Sequence, residues 1–259
     1  MVDKKWLGLA LSSHVSLMLV FSLMGLLSAG TLLSPWLLHK VWVWLPALLF
    51  GFSVNIGISL GAVLIGTLLG VLIGVGTASQ SKALRWVLGV YVQVFRNIPW
   101  LVLIYFATYV IPFELHALGR VYVIPDWLKV IVGLALPASA NVSEIVRGAL
   151  QSIPATQWES ARSLAFRFPQ LLRYIILPQC IARGLASWMN LYAMIVMGTA
   201  LSSLVGVHDV LDVVQIASNS LASSSFTLMA YVLVLIFFFL YCYPIARYTR
   251  VLEQRYRHV

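Results

Sequence analysis

Polar and ionisable residues stand at intervals within otherwise apolar stretches of the chain. These residues are Arg96, Asn97, Asn141, Glu144 and Asn190, and a proline, Pro99, follows the first two. A charged group is unfavourable in contact with lipid, so residues of this kind usually face a cavity or a partner. They are therefore candidates to line a pathway, or its gate, through which a polar solute crosses a membrane.

Simpler interpretations of the same residues stay open. Glu144 and Arg147 are three residues apart on one helical face, and such a pair also forms only to stabilise its helix. Asn190, like Asn55, would serve equally well as a hydrogen-bonding contact between helices. Pro99 interrupts helical hydrogen bonding and would free backbone groups that face the pathway.

The chain lacks the residue patterns of a catalytic or metal site. A phosphate-binding loop has the pattern G-x-x-x-x-G-K-[ST], and no lysine in the chain follows a glycine. The two cysteines, Cys180 and Cys242, have neither metal-ligand nor redox spacing. We therefore expect no catalytic residue and no cofactor or metal bound by this chain.

Membrane-spanning helices are the elements that would position the polar residues. The 259 residues are 61% hydrophobic and 10% charged, whereas soluble domains have about 25% charged residues. Apolar stretches of the roughly 20 residues needed to cross a bilayer recur along the chain and predict an all-α membrane protein. The six predicted spans are residues 9–33, 47–76, 88–112, 128–149, 182–206 and 226–246.

Basic residues are distributed unevenly between the two sides of these spans. With a cytoplasmic N-terminus, the inner segments hold 13 of the 17 lysine and arginine residues, and the remaining four are Lys40, Arg96, Arg120 and Lys129. This asymmetry predicts that both termini are cytoplasmic. The net charge of +9 is thus a topological signal, and we expect no nucleic-acid partner.

The chain divides into three parts along its length. Residues 1–46 are predicted to form the first span and an outer loop, residues 47–250 the main transmembrane domain, and residues 251–259 a basic cytoplasmic tail. The apolar run that begins the chain is longer than that of a cleaved signal, although the small residues at 28–30 leave cleavage open.

Glycines in the second span repeat at helical spacing. Gly66, Gly70 and Gly74 lie four residues apart on one face, and small residues at this spacing let helices approach closely in a membrane. A helix that is merely rich in glycine would have the same composition. Either way the pattern indicates packing and not chemistry.

The longest inner segment is predicted to contain two short helices. Thr156 and Glu159 match the S/T-x-x-E capping box, which predicts a helix over about 157–167. Phe168-Pro169 is predicted to end it. A second helix over about 170–176 would then close at Leu177-Pro178, because proline disfavours helix at the residue before it.

This segment resembles the coupling motif of ABC importer permeases, which reads EAA, three residues, glycine, nine residues, then I-x-L-P. The chain has Glu159-Ser160-Ala161, then Ala165 at the glycine position, then Leu177-Pro178 at the end of the motif. Ser160 and Ala165 depart from the pattern. We therefore expect a regular helical stretch where the family makes a tight turn.

Flanking residues resemble the polar-amino-acid branch of these permeases. The element from Glu144 to Gly148 is similar to its E-I-x-R-G pattern, and residues 151–154 are similar to its Q-S-I-P. Residues 91–99 resemble its Y-V-x-x-F-R-G/N-x-P element. The likeness covers about residues 47–255.

The resemblance implies the transmembrane domain of a type I ABC importer in the bacterial inner membrane. The implied partners are a second, identical or homologous permease subunit, two ATPase subunits that bind ATP and Mg²⁺, a periplasmic or lipid-anchored solute-binding protein, and membrane lipid. The ATPase would dock on residues 151–180, which we call the coupling segment. The implied docking residues are Thr156, Trp158, Glu159, Ser160, Ala161, Arg162, Ala165, Leu177 and Pro178.

One departure bears on the solute, and one alternative bears on the driving force. Met197 stands near the position where relatives have a membrane lysine, so polar amino acids, opines and other polar solutes all remain open. An ion-gradient-driven secondary transporter also has several spans, midplane charges and broken helices. Neither such a transporter nor a channel-like protein explains the coupling pattern.

Overall fold

The computed structural model describes residues 34–77, 79, 81–117, 120–164 and 166–256. The predicted first span, its possible cleavage site, Ala165 and the end of the basic tail lie outside the described residues. In chain order the elements are α1 (Pro35–Thr77), α2 (Lys82–Asn97), α3 (Trp100–Val110), β1 (Glu114–Ala117), β2 (Arg120–Val123), α4 (Asp126–Gln151), α5 (Ala155–Ser163), α6 (Phe168–Leu171), a π-helical turn (Leu172–Ile176), α7 (Leu177–Gly198), a 3₁₀ segment (Thr199–Val205), α8 (Val210–Leu221) and α9 (Ser224–Tyr256).

Four long apolar stretches of helix confirm four of the predicted spans. They are Pro35–Thr77, Asp126–Gln151, Arg173–Val205 and Ser224–Gln254, each long and apolar enough to cross a membrane. Large apolar side chains along them remain exposed, such as Leu64, Leu68 and Leu72 on one face of α1. A face of this kind suits contact with lipid or with another membrane chain. The fold is therefore that of an all-α membrane protein.

The predicted span 88–112 is a bent pair of helices. It is divided into α2 and α3, whose axes are bent by 108° at Ile98 and Pro99. Pro99 cannot donate a backbone hydrogen bond, and Ile98, which precedes it, takes the extended conformation that a following proline favours. The Pro99 carbonyl then accepts from the Val102 and Leu103 amides and starts the second helix.

The predicted outer loop before residue 47 is helical from Pro35 onward. The Ser34 side chain accepts a hydrogen bond from the Leu37 amide at 3.3 Å, and Pro35 has the fixed φ that suits a first helical position. Pro46 lies inside α1, where the long helix continues past it. This part of α1 packs through Leu37 and Leu48 against α8 and α9, and burial of both residues stabilises it.

The glycine stripe of α1 is a close contact with α4. A Cβ placed on Gly66, Gly70 or Gly74 would lie within 2.8 Å of a Cβ atom of α4. The partners on α4 are Ala138, Val142 and Val146, which are also four residues apart. The predicted packing role of these glycines is confirmed, because only their lack of side chains allows the two backbones to approach this closely.

Two apolar clusters hold the bundle together. The first joins α1, α3, α4 and α7 and includes Val63, Ile104 and Leu134. The second packs α8, which the sequence did not predict, between α1 and α9 through residues such as Val214 and Phe226. A two-stranded antiparallel hairpin, β1 and β2, was also not predicted and joins α3 to α4.

The first helix of the coupling segment begins and ends at other residues than predicted. Helix α5 begins at Ala155, directly after Pro154, so Thr156 lies inside the first turn and the predicted capping box is wrong. Leu164 and Phe166 are not helical, and the Phe166 amide donates to the Ala161 carbonyl in a 6→1 bond typical of helix ends. The expected regular helical stretch to about residue 167 is therefore wrong, because α5 ends at Ser163.

The second short helix does not close at Leu177-Pro178. Helix α6 passes through the π-helical turn directly into α7, in which Pro178 occupies the first turn. A proline is tolerated there because the first amides of a helix have no intrahelical acceptor. The proline therefore marks the start of a long helix and not the end of a short one.

Candidate functional site: a polar cavity and the coupling segment

Four of the six predicted pathway residues line one open cavity. Arg96 comes from α2, Asn141 and Glu144 from α4, and Asn190 from α7. The cavity has a volume of about 540 Å³ and also borders Glu253 of α9. The bend at Pro99 and the packing of α4 thus bring residues far apart in sequence to one place.

A three-residue charge cluster lies at this cavity: Arg96 and Glu144 line it, and Arg147 pairs with Glu144. The Glu144 carboxylate accepts hydrogen bonds from Arg147 Nε at 3.0 Å and from Arg147 Nη2 at 2.6 Å. Arg96 Nη1 lies 3.5 Å from Glu144 Oε2, the same oxygen that accepts from Arg147 Nη2. The internal pair left open by the sequence does form, but its carboxylate is also shared with a second arginine.

The charge cluster remains partly accessible. The exposed fractions of the Arg96, Glu144 and Arg147 side chains are 43%, 25% and 41%. Two guanidinium groups and one carboxylate leave one surplus positive charge, and Arg147 Nη1 also donates to Gln151 Oε1 at 2.9 Å. Among the described residues, the charged ones that line the cavity itself are two of each sign: Arg96, Arg183, Glu144 and Glu253. Such a wall suits a solute that carries both charges.

The two asparagines of the cavity make hydrogen bonds only within their own helices. Asn141 Nδ2 donates to the Pro137 carbonyl at 2.8 Å, and Asn190 Nδ2 lies 3.9 Å from Met194 Sδ. Among the described residues, Asn190 has no hydrogen bond to another helix. The structure therefore does not support the interpretation of Asn190 as a hydrogen-bonding contact between helices.

Asn97 and Pro99 do not line the cavity. Asn97 Nδ2 donates to the Gln93 carbonyl of its own helix at 2.6 Å, and its side chain is exposed. Pro99 precedes α3 and directs the chain away from α2. They shape the bend beside Arg96 and do not contribute to the cavity wall.

Further cavity residues on α7 were missed from the sequence. Arg183, Ser187, Asn190 and Met194 all line it. They are three or four residues apart and therefore lie on one face of the helix. Counting in such steps from Asn190 in both directions could have found the other three. Two of them are small or apolar, and for that reason they did not stand out among membrane residues.

A second polar group, which we call the buried network, consists of Asn55, Thr199, Ser202 and Asp209. Asp209 is fully buried and accepts from Asn55 Nδ2 at 3.1 Å and from Ser202 Oγ at 2.7 Å. Its other oxygen accepts from the Leu211 and Asp212 amides and caps α8. Asn55 also donates to Thr199 and accepts from the Val210 amide. Asn55 therefore forms the hydrogen-bonding contact between helices that the sequence left open for it.

The coupling segment is a small packed unit with one exposed face. Ile153, Ala161, Leu171 and Ile176 are buried together, and Trp158 packs against them. The exposed predicted docking residues are Thr156, Glu159, Ser160, Leu177 and Pro178. The structure does not describe the Arg162 side chain. Ala161 and Trp158 therefore support the unit from inside, whereas the other docking residues with described side chains are available at its surface.

Comparison with known proteins identifies the chain. Residues 66–258 match the family described as binding-protein-dependent transport system inner membrane component. The chain belongs to this family. It is a multi-pass inner membrane protein and the permease subunit of an ABC importer, which confirms the resemblance found in the coupling motif. The alternative of an ion-gradient-driven transporter is not supported.

Individual relatives agree with this assignment. The permease is 27% identical over 182 residues to the inner membrane amino-acid ABC transporter permease protein YhdY of Escherichia coli (strain K12), covering 70% of this chain and 49% of that protein. It is 27% identical over 214 residues to the probable amino-acid ABC transporter permease protein YckA of Bacillus subtilis (strain 168), covering 82% and 90%. The chain thus spans about half the length of YhdY and most of YckA.

A solved structure shares the fold. A crystal structure of an amino acid ABC transporter with histidines superposes with a TM-score of 0.71 at 23% identity, covering 84% of this permease and 97% of that chain. At this identity the similarity establishes the arrangement of helices and not the solute.

Proposed function

We propose that this permease forms the translocation pathway for a polar amino acid or a related small polar solute such as an opine. The observation that carries the proposal is the cavity wall, where Arg96 contacts Glu144, which also pairs with Arg147. The arginines would receive the carboxylate of a zwitterion. Glu144 and the amides of Asn141 and Asn190 would receive its ammonium and polar groups.

The driving force would come from partner subunits. Two ATPase subunits that bind ATP and Mg²⁺ would dock on the exposed face of the coupling segment, around Thr156, Glu159 and Ser160. A second permease subunit would close the open side of the cavity, and a periplasmic or lipid-anchored binding protein would deliver solute from outside. Both termini would then be cytoplasmic. ATP and loaded binding protein must each favour a different state of the complex, since only differential affinity shifts such an equilibrium.

The amino-acid class is supported by the relatives' names and by the charge cluster. Met197 is half exposed near the position where the family pattern has a lysine. Arg96 is then the wall arginine that contacts Glu144, and Arg147 is the second partner of the same carboxylate. A solute with one carboxylate fits this arrangement.

Charge reversal on the coupling segment tests the assignment. Glu159→Lys should release the ATPase or abolish ATP-dependent uptake while the membrane domain stays folded, because Glu159 is exposed and its side chain makes no hydrogen bond to the described residues. The readouts are copurification with the ATPase and uptake in proteoliposomes that contain the ATPase and binding protein. Glu114→Lys is the matched control, since Glu114 is exposed on the hairpin at the opposite end of α4. Normal ATPase association and normal uptake in Glu159→Lys would show that the coupling assignment is wrong.

A further inference from the structure

Arg183 joins the two helices on either side of the coupling segment. It lies near the start of α7, and its Nη1 donates to the carbonyl oxygen of Ser152 and also, at 3.1 Å, to the Ser152 hydroxyl oxygen. Ser152 is the residue that caps the C-terminal end of α4. The last carbonyls of a helix lack intrahelical donors and carry partial negative charge, so a guanidinium stabilises this end.

The contact closes the coupling segment into a loop with fixed ends. The segment leaves α4 at Gln151 and returns at Leu177, and Arg183 holds these two ends together. A second polar contact runs from Gln179 Nε2 to Gln157 Oε1 at 2.7 Å and ties α5 to α7. With the buried apolar cluster, these contacts make α5 part of one body with the ends of α4 and α7.

The same arginine lies at the border of the cavity. Arg183 lines it together with Glu144 of α4 and Asn190 of α7. Asn190 is seven residues from Arg183 on the same face of α7, and Glu144 lies two turns before Ser152 on α4. Both helices therefore connect the Arg183 contact to cavity groups without an intervening loop.

We propose that Arg183 is a positioning residue that transmits movement of the coupling segment to both walls of the cavity. By holding the ends of α4 and α7 together, it makes Glu144 and Asn190 move jointly when the ATPase displaces α5. Without it, the displacement is absorbed by separation of the two helix ends. The inference rests on the proposed function, because it needs an ATPase that pulls on this segment.

The contact uses a single nitrogen of the guanidinium, so a lysine ammonium can replace part of it. A guanidinium presents several donors in a fixed planar fork, and here one nitrogen reaches two oxygens of Ser152. A lysine ammonium keeps the positive charge but has a shorter reach and no fixed fork. The lysine variant should therefore retain part of the coupling of the unmodified protein, whereas the alanine variant should lose the contribution of this contact.

The test measures uptake per ATP hydrolysed in the complete complex, reconstituted with ATPase and binding protein. Arg183→Ala should still assemble and hydrolyse ATP, but uptake per ATP should fall about 2- to 30-fold, the range found for mutations that alter coupling between sites. The apparent KM for solute should stay unchanged. Arg183→Lys should be intermediate, and Ser152→Ala should be near normal because the backbone carbonyl remains. Arg250→Ala, at an exposed arginine of α9, is the control for loss of a positive charge.

Each contrary outcome has a distinct meaning. Unchanged uptake per ATP in Arg183→Ala would overturn the proposal, and so would a changed solute preference, which would indicate direct solute contact. If Arg183→Ala did not assemble, the ratio in Arg183→Lys would decide: a reduced ratio supports the proposal and a normal one overturns it. Failure of both variants to assemble would make Arg183 a structural residue only. If the unmodified complex showed no ATP-dependent uptake, the proposed function itself would fail.

Discussion

Glu144 and Asp209 are both carboxylates surrounded by apolar helices, but they satisfy their charge in opposite ways. Glu144 is shared by two arginines and remains a quarter exposed beside an open cavity. Asp209 is fully buried, and its hydrogen-bond donors are the neutral groups of Asn55, Ser202 and two backbone amides. The first arrangement leaves room for a competing ligand, whereas the second leaves none.

The difference shows how a residue that lines a pathway can be distinguished from one that only stabilises the fold. Both groups obey the rule that polar atoms in a membrane domain need partners. Spare charge and access to a cavity point to solute handling, whereas saturated, enclosed hydrogen bonds point to the joining of helices. Because Asp209 holds the start of α8 against α1 and the 3₁₀ segment, its loss should affect assembly, while changes at Glu144 should affect transport.

The largest expected effect on stability is that of Asp209→Ala. The change removes the cap of α8 and leaves the buried Asn55 amide without one acceptor, which together cost roughly 2 to 4 kcal/mol of unfolding free energy. The apparent melting temperature in detergent should fall clearly. Asp212→Ala is the control, because it removes only the contact to exposed His208. Equal melting temperatures for the two variants would contradict the structural role of the buried network.

Gly51→Ala should destabilise the same region without removing any polar group. A Cβ on Gly51 would lie 2.8 Å from the Val210 N and Cα atoms, and backbone atoms of this kind cannot move aside easily. Overpacking of this type costs about 1 to 3 kcal/mol. Gly57→Ala on the same helix is the matched control, since a Cβ there meets nothing within 4 Å. A lower melting temperature only in Gly51→Ala would locate the sensitivity at the contact between α1 and α8.

Glu144→Gln should alter transport more than stability. The Glu144 to Arg147 pair is partly exposed, so its loss costs only about 0.3 to 0.5 kcal/mol of unfolding free energy. Uptake should nevertheless fall, because the cavity wall loses the carboxylate that is proposed to receive the ammonium group of the solute. The checks are melting temperature, ATPase copurification and uptake with a panel of amino acids. Lower stability with unchanged uptake and solute preference would assign the pair to helix stabilisation alone.

These contrasts also explain how far the sequence was informative. The four continuous spans, the glycine stripe and the gathering of Arg96, Asn141, Glu144 and Asn190 follow from apolar length, small-residue spacing and the cost of charge in lipid. The break at Pro99 does not follow, because a proline within an apolar run is compatible with a kink or a full bend. The contacts of the surrounding helices decide between them, as where Gly133 lets α4 approach the Ile104 backbone.

Short elements were the hardest to predict. Helix α8 has only 12 residues, and its stability comes from Asp209 and the apolar cluster, which are both tertiary contacts. The capping box at Thr156 failed because α5 begins at Ala155, directly after Pro154 and two residues before the predicted start. Pro178 was assigned to a helix end, although proline fits a first turn equally well. In each case the local pattern allowed two structures, and packing selected one.

The smallest expected effect is that of Asn97→Ala, which tests where the cavity ends. Asn97 was a pathway candidate beside Arg96, but its amide donates to the Gln93 carbonyl of its own exposed helix end. Loss of this contact should change the unfolding free energy by at most about 0.5 kcal/mol, as for most surface substitutions. Uptake and solute preference should stay normal, in contrast to Arg96→Ala, which removes an ion-pair partner of Glu144. Since the two residues are adjacent, their variants share the same bend at Pro99 and differ only in access to the cavity. An equal loss of uptake in both would mean that the solute also passes the end of α2, and the wall of the pathway would then have to be extended to the bend.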